Sequence, residues 1–306
     1  MPSTCNTEDI THSLTQRSAC ISPKYFYDQR GSELFEAITR LPEYYPTRTE
    51  TALMHAHVKD IARAVGTGRT LIELGAGNCH KARALIRGIQ PACFIGVDIS
   101  AEFLQDAVQR LRDEFPGLDA RAVAGDMTRG VLLPADIPRA GRLVFYPGSS
   151  IGNFDPPHAV ELLAHMRELM DEDGGVLIGI DLPKDVKVLE AAYDDDQGVT
   201  ADFNRNVLTH VNRLIGSDFD VARWQHRAFF NQGASRIEMH LEALTDMQVQ
   251  WPGGGRNFVQ GERIHTENSY KYPLPVFTDM LASAGFSRSQ AWTDERGWFA
   301  VVHAQP

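Results

Sequence analysis

Apolar positions in this 306-residue chain fall into two textures. From Arg69 to Asp181, short continuous apolar runs alternate with segments whose apolar residues recur every three or four positions. Thr70–Leu74, Cys93–Val97, Ala120–Ala124, Arg142–Tyr146 and Gly175–Asp181 read as strands buried on both faces. Between them, residues 80–89 are helical in character. Residues 101–114 put Phe103, Ala107, Leu111 and Phe115 on one side of a helix. Asp155-Pro156 is a helix start, because Asp caps and Pro suits the first turn. Ala159, Leu162, Leu163, Met166 and Leu169 form the buried face of that helix. Strand–helix alternation of this kind predicts a parallel, doubly wound α/β sheet with right-handed connections.

The pattern differs on either side. Residues 1–20 read as a loose arm or a short helix. Residues 24–46 are rich in aromatics: Tyr25, Phe26, Tyr27, Phe35, Tyr44 and Tyr45. Thr47-Arg-Thr-Glu50 has the spacing of a capping box, followed by a helix with Met54, Val58, Ile61 and Val65 on its apolar face. After Leu182 come helical stretches at 186–193 and 200–215, then strand-like segments at 225–230, 236–243 and 246–250. Gly253-Gly-Gly255 marks a loop. This block reads as an inserted α+β unit. A helix at 274–284 and a terminal hairpin near 287–292 and 297–303 resume the α/β texture.

Charge narrows the functions available. The net charge is −10, and no Lys/Arg cluster offers a nucleic-acid face. Cys5, Cys20, Cys79 and Cys93 form no CxxC pair, which argues against a zinc ribbon or a disulfide framework. There is no apolar leader and no run of membrane-span length. The expectation is a cytoplasmic protein with no membrane partner.

The candidate chemistry sits at strand ends, where open α/β sheets bind ligands. Gly75 and Gly77 follow the first strand in Glu73-Leu-Gly-Ala-Gly77 and let backbone approach a ligand closely. Asp98 ends the second strand, suited to ribose hydroxyls. Asp126 follows the third, where an adenine edge would lie. The dinucleotide fingerprint wants a third glycine, and His80 stands there instead. That disfavours a pyrophosphate and a nicotinamide oxidoreductase, and suits S-adenosylmethionine. Gly148-Ser-Ser-Ile-Gly-Asn153 follows the fourth strand; it reads equally as the mouth of an active site and as a turn that caps the next helix.

Other groups have plainer readings. His55 and His57 point to different helix faces. Asp194-Asp-Asp196 reads as a turn with solvated acids. Cys79-His80 are adjacent loop positions that rarely meet as nucleophile and base. The aromatic segment could be core, and Glu267-Asn-Ser269 surface.

At these residues the chain resembles the histidine Nα-methyltransferases of ergothioneine biosynthesis. The resemblance runs over nearly the whole chain. It rests on Lys24-Tyr-Phe-Tyr-Asp28, Gly31-Ser-Glu-Leu-Phe35, Leu41-Pro-Glu-Tyr-Tyr-Pro-Thr-Arg48, Glu73-Leu-Gly-Ala-Gly77 and Gly148-Ser-Ser-Ile-Gly-Asn153. It continues in Ala192-Tyr-Asp-Asp195, Phe203-Asn-Arg-Asn206, Ile237-Glu-Met239 and Thr266-Glu267 with Ser269. A Ser or Thr expected near Asn78 or Cys79 is missing.

The resemblance implies a Rossmann-like class I methyltransferase sheet (49–183 plus 271–306) and a second, α+β substrate-binding domain (1–48 plus 184–270). Gly75, Lys81, Asp98 and Asp126 would contact S-adenosylmethionine. Tyr44, Gly148, Asn153, Tyr193, Met239, Glu267 and Ser269 would surround L-histidine. Tyr27 and Asn153 would orient its amino group as the catalytic pair. No metal is required. Three successive transfers would give Nα,Nα,Nα-trimethylhistidine (hercynine), made by a monomer. Fungal relatives take a tryptophan-derived amine; a carboxylate at Glu267 and a thioether at Met239 suit an imidazole better. Another aromatic amino acid as substrate, and a silent binding protein, are the remaining alternatives.

Overall fold

The structure, a computed structural model, describes residues 7–127 and 130–306. The reading of an N-terminal arm therefore lies outside the described residues for positions 1–6. The chain divides into two compact units.

The larger unit comprises Pro46–Pro183 and Tyr270–Pro306. Helices and strands are numbered along the whole chain. The smaller unit opens with α1 (Thr7–Thr15) and α2 (Gln29–Ile38). The larger then takes α3 (Tyr45–Val65), β1 (Thr70–Leu74), α4 (His80–Ile89), β2 (Cys93–Asp98), α5 (Ala101–Glu114), β3 (Asp119–Ala124), β4 (Arg142–Tyr146), α6 (Pro156–Glu168) and β5 (Gly175–Asp181). The inserted block supplies α7 (Val186–Ala191), α8 (Val199–Ile215), β6 (Trp224–Asn231), β7 (Arg236–Ala243), β8 (Met247–Trp251), β9 (Gly254–Phe258) and β10 (Arg263–Tyr270). The chain closes with α9 (Leu274–Ser283), β11 (Arg288–Thr293) and β12 (Phe299–Gln305).

Seven strands form one sheet in the order β11-β12-β5-β4-β1-β2-β3. β1 pairs in parallel with β2 and β4, β2 with β3, and β4 with β5. Only the terminal hairpin runs antiparallel, with β12 inserted beside β5. Every residue of β1, β4 and β5 is buried, because helices cover both faces of a parallel sheet. One apolar layer joins α6 and α9 to the sheet through Leu163, Met166, Phe277 and Leu281. The other joins α3, α4 and α5 through Ile61, Leu85, Leu104 and Leu111. The fold is the doubly wound class I methyltransferase sheet. No helix among the described residues is long and apolar enough to cross a membrane.

The smaller unit is Met1–Tyr45 with Lys184–Ser269. Its three-stranded sheet has the order β10-β7-β6, and β8 and β9 form a separate pair. α8 carries its buried face as Phe203, Val207, Leu208 and Val211.

The structure corrects several local expectations. α3 begins at Tyr45, so Thr47 and Glu50 lie inside the helix and form no capping box. α5 buries Leu104, Ala107, Val108 and Leu111, while Phe103 and Phe115 are only half-buried. Gly254 and Gly255, expected in a loop, pair in β9 with Trp251 and Gln250. A Cβ on Gly255 would stand 2.8 Å from the Val249 carbonyl, so close strand approach is what these glycines permit. β10 went unseen, because its polar run Arg263–Ser269 lacks an alternating apolar signature. Asp195 is buried, not solvated: its carboxylate accepts from the Val199 and Thr200 amides and holds the start of α8.

Two buried ionisable features in the sheet domain set its response to pH and mutation. Lys271 and Asp181 form a fully buried ion pair at 2.7 Å. His303 on β12 is buried, and desolvation, aided by Arg69, pushes its pKa down to about 4. The folded state thus holds it neutral, while the unfolded chain protonates it near 6.5. Its contribution to stability is full above that pH and is lost as the pH falls toward 4. Thermal unfolding should show His303→Gln relieving about 2 kcal/mol of the acid destabilisation at pH 5. An identical pH profile in variant and parent contradicts that role.

Candidate active site

Parallel pairing brings the carboxyl ends of β1, β2, β4 and β5 to one edge of the sheet. After β1 the chain turns through Gly75 and Gly77 at φ of 66° and 49°. These left-handed values favour glycine. The turn is pinned to the next strand: the Ala76 amide donates to the Val97 carbonyl, and the Gly77 amide donates to Asp98 Oδ2 at 2.9 Å. Asp98 Oδ1 accepts from the Ser100 amide at 2.9 Å. Asp98 therefore shapes the loop from beneath. Asp126 follows β3 and is half-buried.

Below the loop Glu73 is buried, and its Oε2 has no hydrogen-bond partner among the described residues. Burial raises its pKa, Lys81 opposes that rise, and the charges of Glu50 and Asp98 add to it. Lys81 lies on the first turn of α4, with its Nζ 2.6 Å from Glu50 Oε2. Cys79 is buried, and burial pushes its thiol far up, which removes it as a nucleophile.

After β4, Gly148 takes φ of 83° and Ser149, a non-glycine, 59°. The turn is held from three sides. The Gly148 amide donates to Glu50 Oε1 at 2.8 Å, and the Asp181 amide donates to Ser149 Oγ at 2.8 Å. A Cβ on Gly152 would sit 2.8 Å from the Tyr270 carbonyl oxygen. Tyr272 donates its hydroxyl to the Phe154 carbonyl at 2.9 Å. Asn153 ends the short 3-10 turn, half-buried. The segment makes the turn that leads into α6, which Asp155 caps by accepting from the His158 amide.

The smaller unit gathers most of the remaining candidates. Tyr27, Phe35, Tyr44 and Tyr193 form a chain of edge-on rings, with centroids 5.7, 6.3 and 6.3 Å apart. Phe203 of α8 backs it, 5.9 Å from Tyr27. At the far end the Tyr193 hydroxyl meets Ser269 Oγ at 2.7 Å. His226 fixes the Tyr193 backbone: its Nε2 donates to the Tyr193 carbonyl at 2.9 Å, and its Nδ1 accepts from Asn204 Nδ2 at 2.8 Å. Burial lowers the His226 pKa, consistent with this neutral tautomer. Glu267 and Ser269 are buried on β10, so this segment is not surface. Met239 is buried on β7, and the Thr266 hydroxyl donates to its carbonyl at 3.0 Å.

The segment bearing Tyr27 is anchored by Asp28. That carboxylate accepts from the Gly31 amide at 2.7 Å and Asn206 Nδ2 at 2.9 Å, and pairs with Arg213. Gly31 admits no side chain, since a Cβ there would overlap the Phe26 carbonyl at 1.7 Å.

Ligand atoms of Glu238, His240 and His265 lie within 4.8 Å of one another. Glu238 is already engaged by Arg236, Asn231 and His240, which hold its pKa near 2.

The sequence profile of the family described as histidine-specific, SAM-dependent methyltransferases matches residues 6–306. The chain belongs to that family. It is 40% identical to the histidine N-alpha-methyltransferase of Mycolicibacterium smegmatis over 96% of this chain and 92% of that one. It is 39% identical to the enzyme of the same name from Mycobacterium tuberculosis, with the same coverage. Ergothioneine biosynthesis protein 1 of Neurospora crassa is 27% identical over 87% of this chain, which spans 31% of that longer protein. Among solved structures, an S-adenosylmethionine-dependent methyltransferase from Clostridium acetobutylicum superposes with a TM-score of 0.52 at 11% identity, covering 89% of this chain and 98% of that one. At that identity the likeness is one of fold.

The family's cofactor fits the loop. An added Cβ on Gly77 would meet nothing within 4 Å, so the backbone faces open space. Glu50 and Asp98 outnumber Lys81 there, an acidic surround suited to a sulfonium and an ammonium. The amide of His80, at the helix N-terminus where a pyrophosphate would dock, is taken by Asn78 Oδ1 at 3.0 Å.

Of the family site residues expected from sequence, Tyr27, Tyr44, Tyr193 and Ser269 meet through rings and hydroxyls in one unit. Gly75, Lys81, Asp98 and Gly148 gather at the sheet edge in the other. Glu50, Asp28, Asn204 and His226 were not anticipated. Their signal is spatial, because each acts on a residue distant in sequence. Asp98→Ala removes the side-chain anchor of the Gly77 amide and should weaken S-adenosylhomocysteine binding roughly 10- to 100-fold in calorimetry. Unchanged affinity would show that the loop is shaped without it.

Proposed function

We propose that this protein is an L-histidine Nα-methyltransferase that transfers three methyl groups from S-adenosylmethionine to give Nα,Nα,Nα-trimethylhistidine. The observation that carries this reading is the buried pair Glu267 and Ser269, with half-buried Tyr193 hydrogen-bonded to Ser269 beside an aromatic wall, in a chain that matches a histidine-specific family almost end to end. Gly75, Lys81, Asp98 and Asp126 hold the cofactor in this reading. When bound, it supplies a methyl group on a sulfonium, already activated and with a neutral leaving group.

The residues then have orienting tasks. Tyr27 and Asn153 direct the amine, which must present a lone pair. An α-amino group titrates near ~8, so water can take its proton and a dedicated base is not needed. Positioning supplies the catalysis. Asn153 and Tyr193 hold the carboxylate, and Gly148, Tyr44 and Met239 frame the rest of the amino acid. Glu267 and Ser269 bind the imidazole nitrogens. The Ser269–Tyr193 hydrogen bond supports this pairing of tasks, because it leaves the Ser269 side chain fixed. Reducing cytoplasm is the compartment this reading assumes; Cys20, Cys79 and Cys93 are free thiols.

Incubation with histidine and S-adenosylmethionine, followed by mass spectrometry, should end in a trimethylated product. A monomethyl end product overturns the three-step reading, and no methylated histidine overturns the substrate. Glu267→Ala should weaken histidine binding on the order of 100-fold, through loss of a charge-assisted hydrogen bond, and leave cofactor affinity within about threefold. Equal losses in both titrations contradict the role given to Glu267.

A further inference from the structure

Glu50 stands out at the sheet edge. It sits inside α3 and is almost wholly buried, yet its carboxylate reaches two segments that lie far apart in sequence. Oε1 accepts from the Gly148 amide at 2.8 Å, at the turn that leads to Asn153. Oε2 pairs with Lys81 Nζ at 2.6 Å, on the helix that follows the cofactor loop.

The surrounding backbone is cut to fit this carboxylate. A Cβ on Gly179, in the middle of β5, would stand 2.1 Å from Glu50 Oε1. A Cβ on Gly148 would stand 2.7 Å from Lys81 Nζ. Two glycines on neighbouring strand segments therefore give way to the same ion pair. A buried charge of this kind is costly unless it is paired and hydrogen-bonded, and both conditions are met here.

We infer that Glu50 is a positioning residue for methyl transfer: one oxygen fixes the Gly148–Asn153 turn, and the other neutralises Lys81 beside the cofactor loop. Its charge also sets the electrostatic balance at the loop. Without it Lys81 stands unneutralised near a ligand that is itself cationic. The placement of Gly148 and Asn153 around histidine rests on the function proposed above; the charge balance does not.

The charge is tested by comparing S-adenosylmethionine, a sulfonium, with S-adenosylhomocysteine, a neutral thioether, in calorimetry without histidine. Glu50→Gln keeps an acceptor for the Gly148 amide and loses the charge. It should lower the affinity ratio of sulfonium over thioether roughly tenfold. Lys81→Met removes the opposite charge and should move the ratio the other way. Glu50→Ala also frees the Gly148 turn, and should raise the KM for histidine at saturating cofactor at least about fivefold above that of Glu50→Gln. A purely structural carboxylate would weaken both ligands equally and leave the ratio where it was; that result overturns the inference. If Glu50→Ala fails to fold, the opposed shifts of Glu50→Gln and Lys81→Met still decide it. If the parent protein binds both ligands but leaves histidine unmethylated, the function falls and the charge assignment is judged on its own.

Discussion

Buried carboxylates without enough cations are the constraint on which the sheet unit depends. Asp181, Glu50 and Glu73 all lie out of water near the carboxyl ends of parallel strands. Lys271 answers the first and Lys81 the second. Among the described residues Glu73 has no ion-pair partner, and burial raises its pKa. An unbalanced buried acid costs stability. Here the excess sits under a loop whose glycines open it to a ligand carrying positive charge. The arrangement that is awkward for folding is suited to a sulfonium.

The smaller unit works with different means. It fixes polar groups by chaining them. Asn204 holds His226, His226 holds the Tyr193 carbonyl, and the Tyr193 hydroxyl meets Ser269. Asp28 gathers Gly31, Asn206 and Arg213 around the segment that carries Tyr27. All of these links but that of Asp28 to Gly31 join groups far apart in sequence, so the geometry depends on the whole α8–β6–β10 assembly. Chaining of this kind gives the polar groups a defined orientation.

What could be read from the chain follows from which forces leave a periodic trace. Strands buried on both faces are continuous apolar runs, so β1, β2, β4 and β5 were visible with their ends nearly in place. The glycines after β1 and Asp98 after β2 could be placed because strand ends are where open sheets bind ligands. β9 and β10 were hidden. One is built on glycines that suit close pairing, and the other on a polar run whose burial comes from partners, not from side-chain hydropathy. Asp195 looked like one of three solvated acids, and only the fold shows its carboxylate under two α8 amides. Glu50 looked like a capping residue. Its task depends on Lys81 and Gly148, which no local pattern links to it.

The central claim is that polar groups of the smaller unit, Glu267 and Ser269 with Tyr193, select an imidazole. A site that hydrogen-bonds two ring nitrogens leaves its own groups unpaired when a ligand lacks them, which costs on the order of 10⁴ in discrimination. The direct measurement is kcat/KM for histidine against tryptophan and phenylalanine under one set of conditions. A preference for histidine of about that size is predicted. Comparable values for the three amino acids would contradict the account.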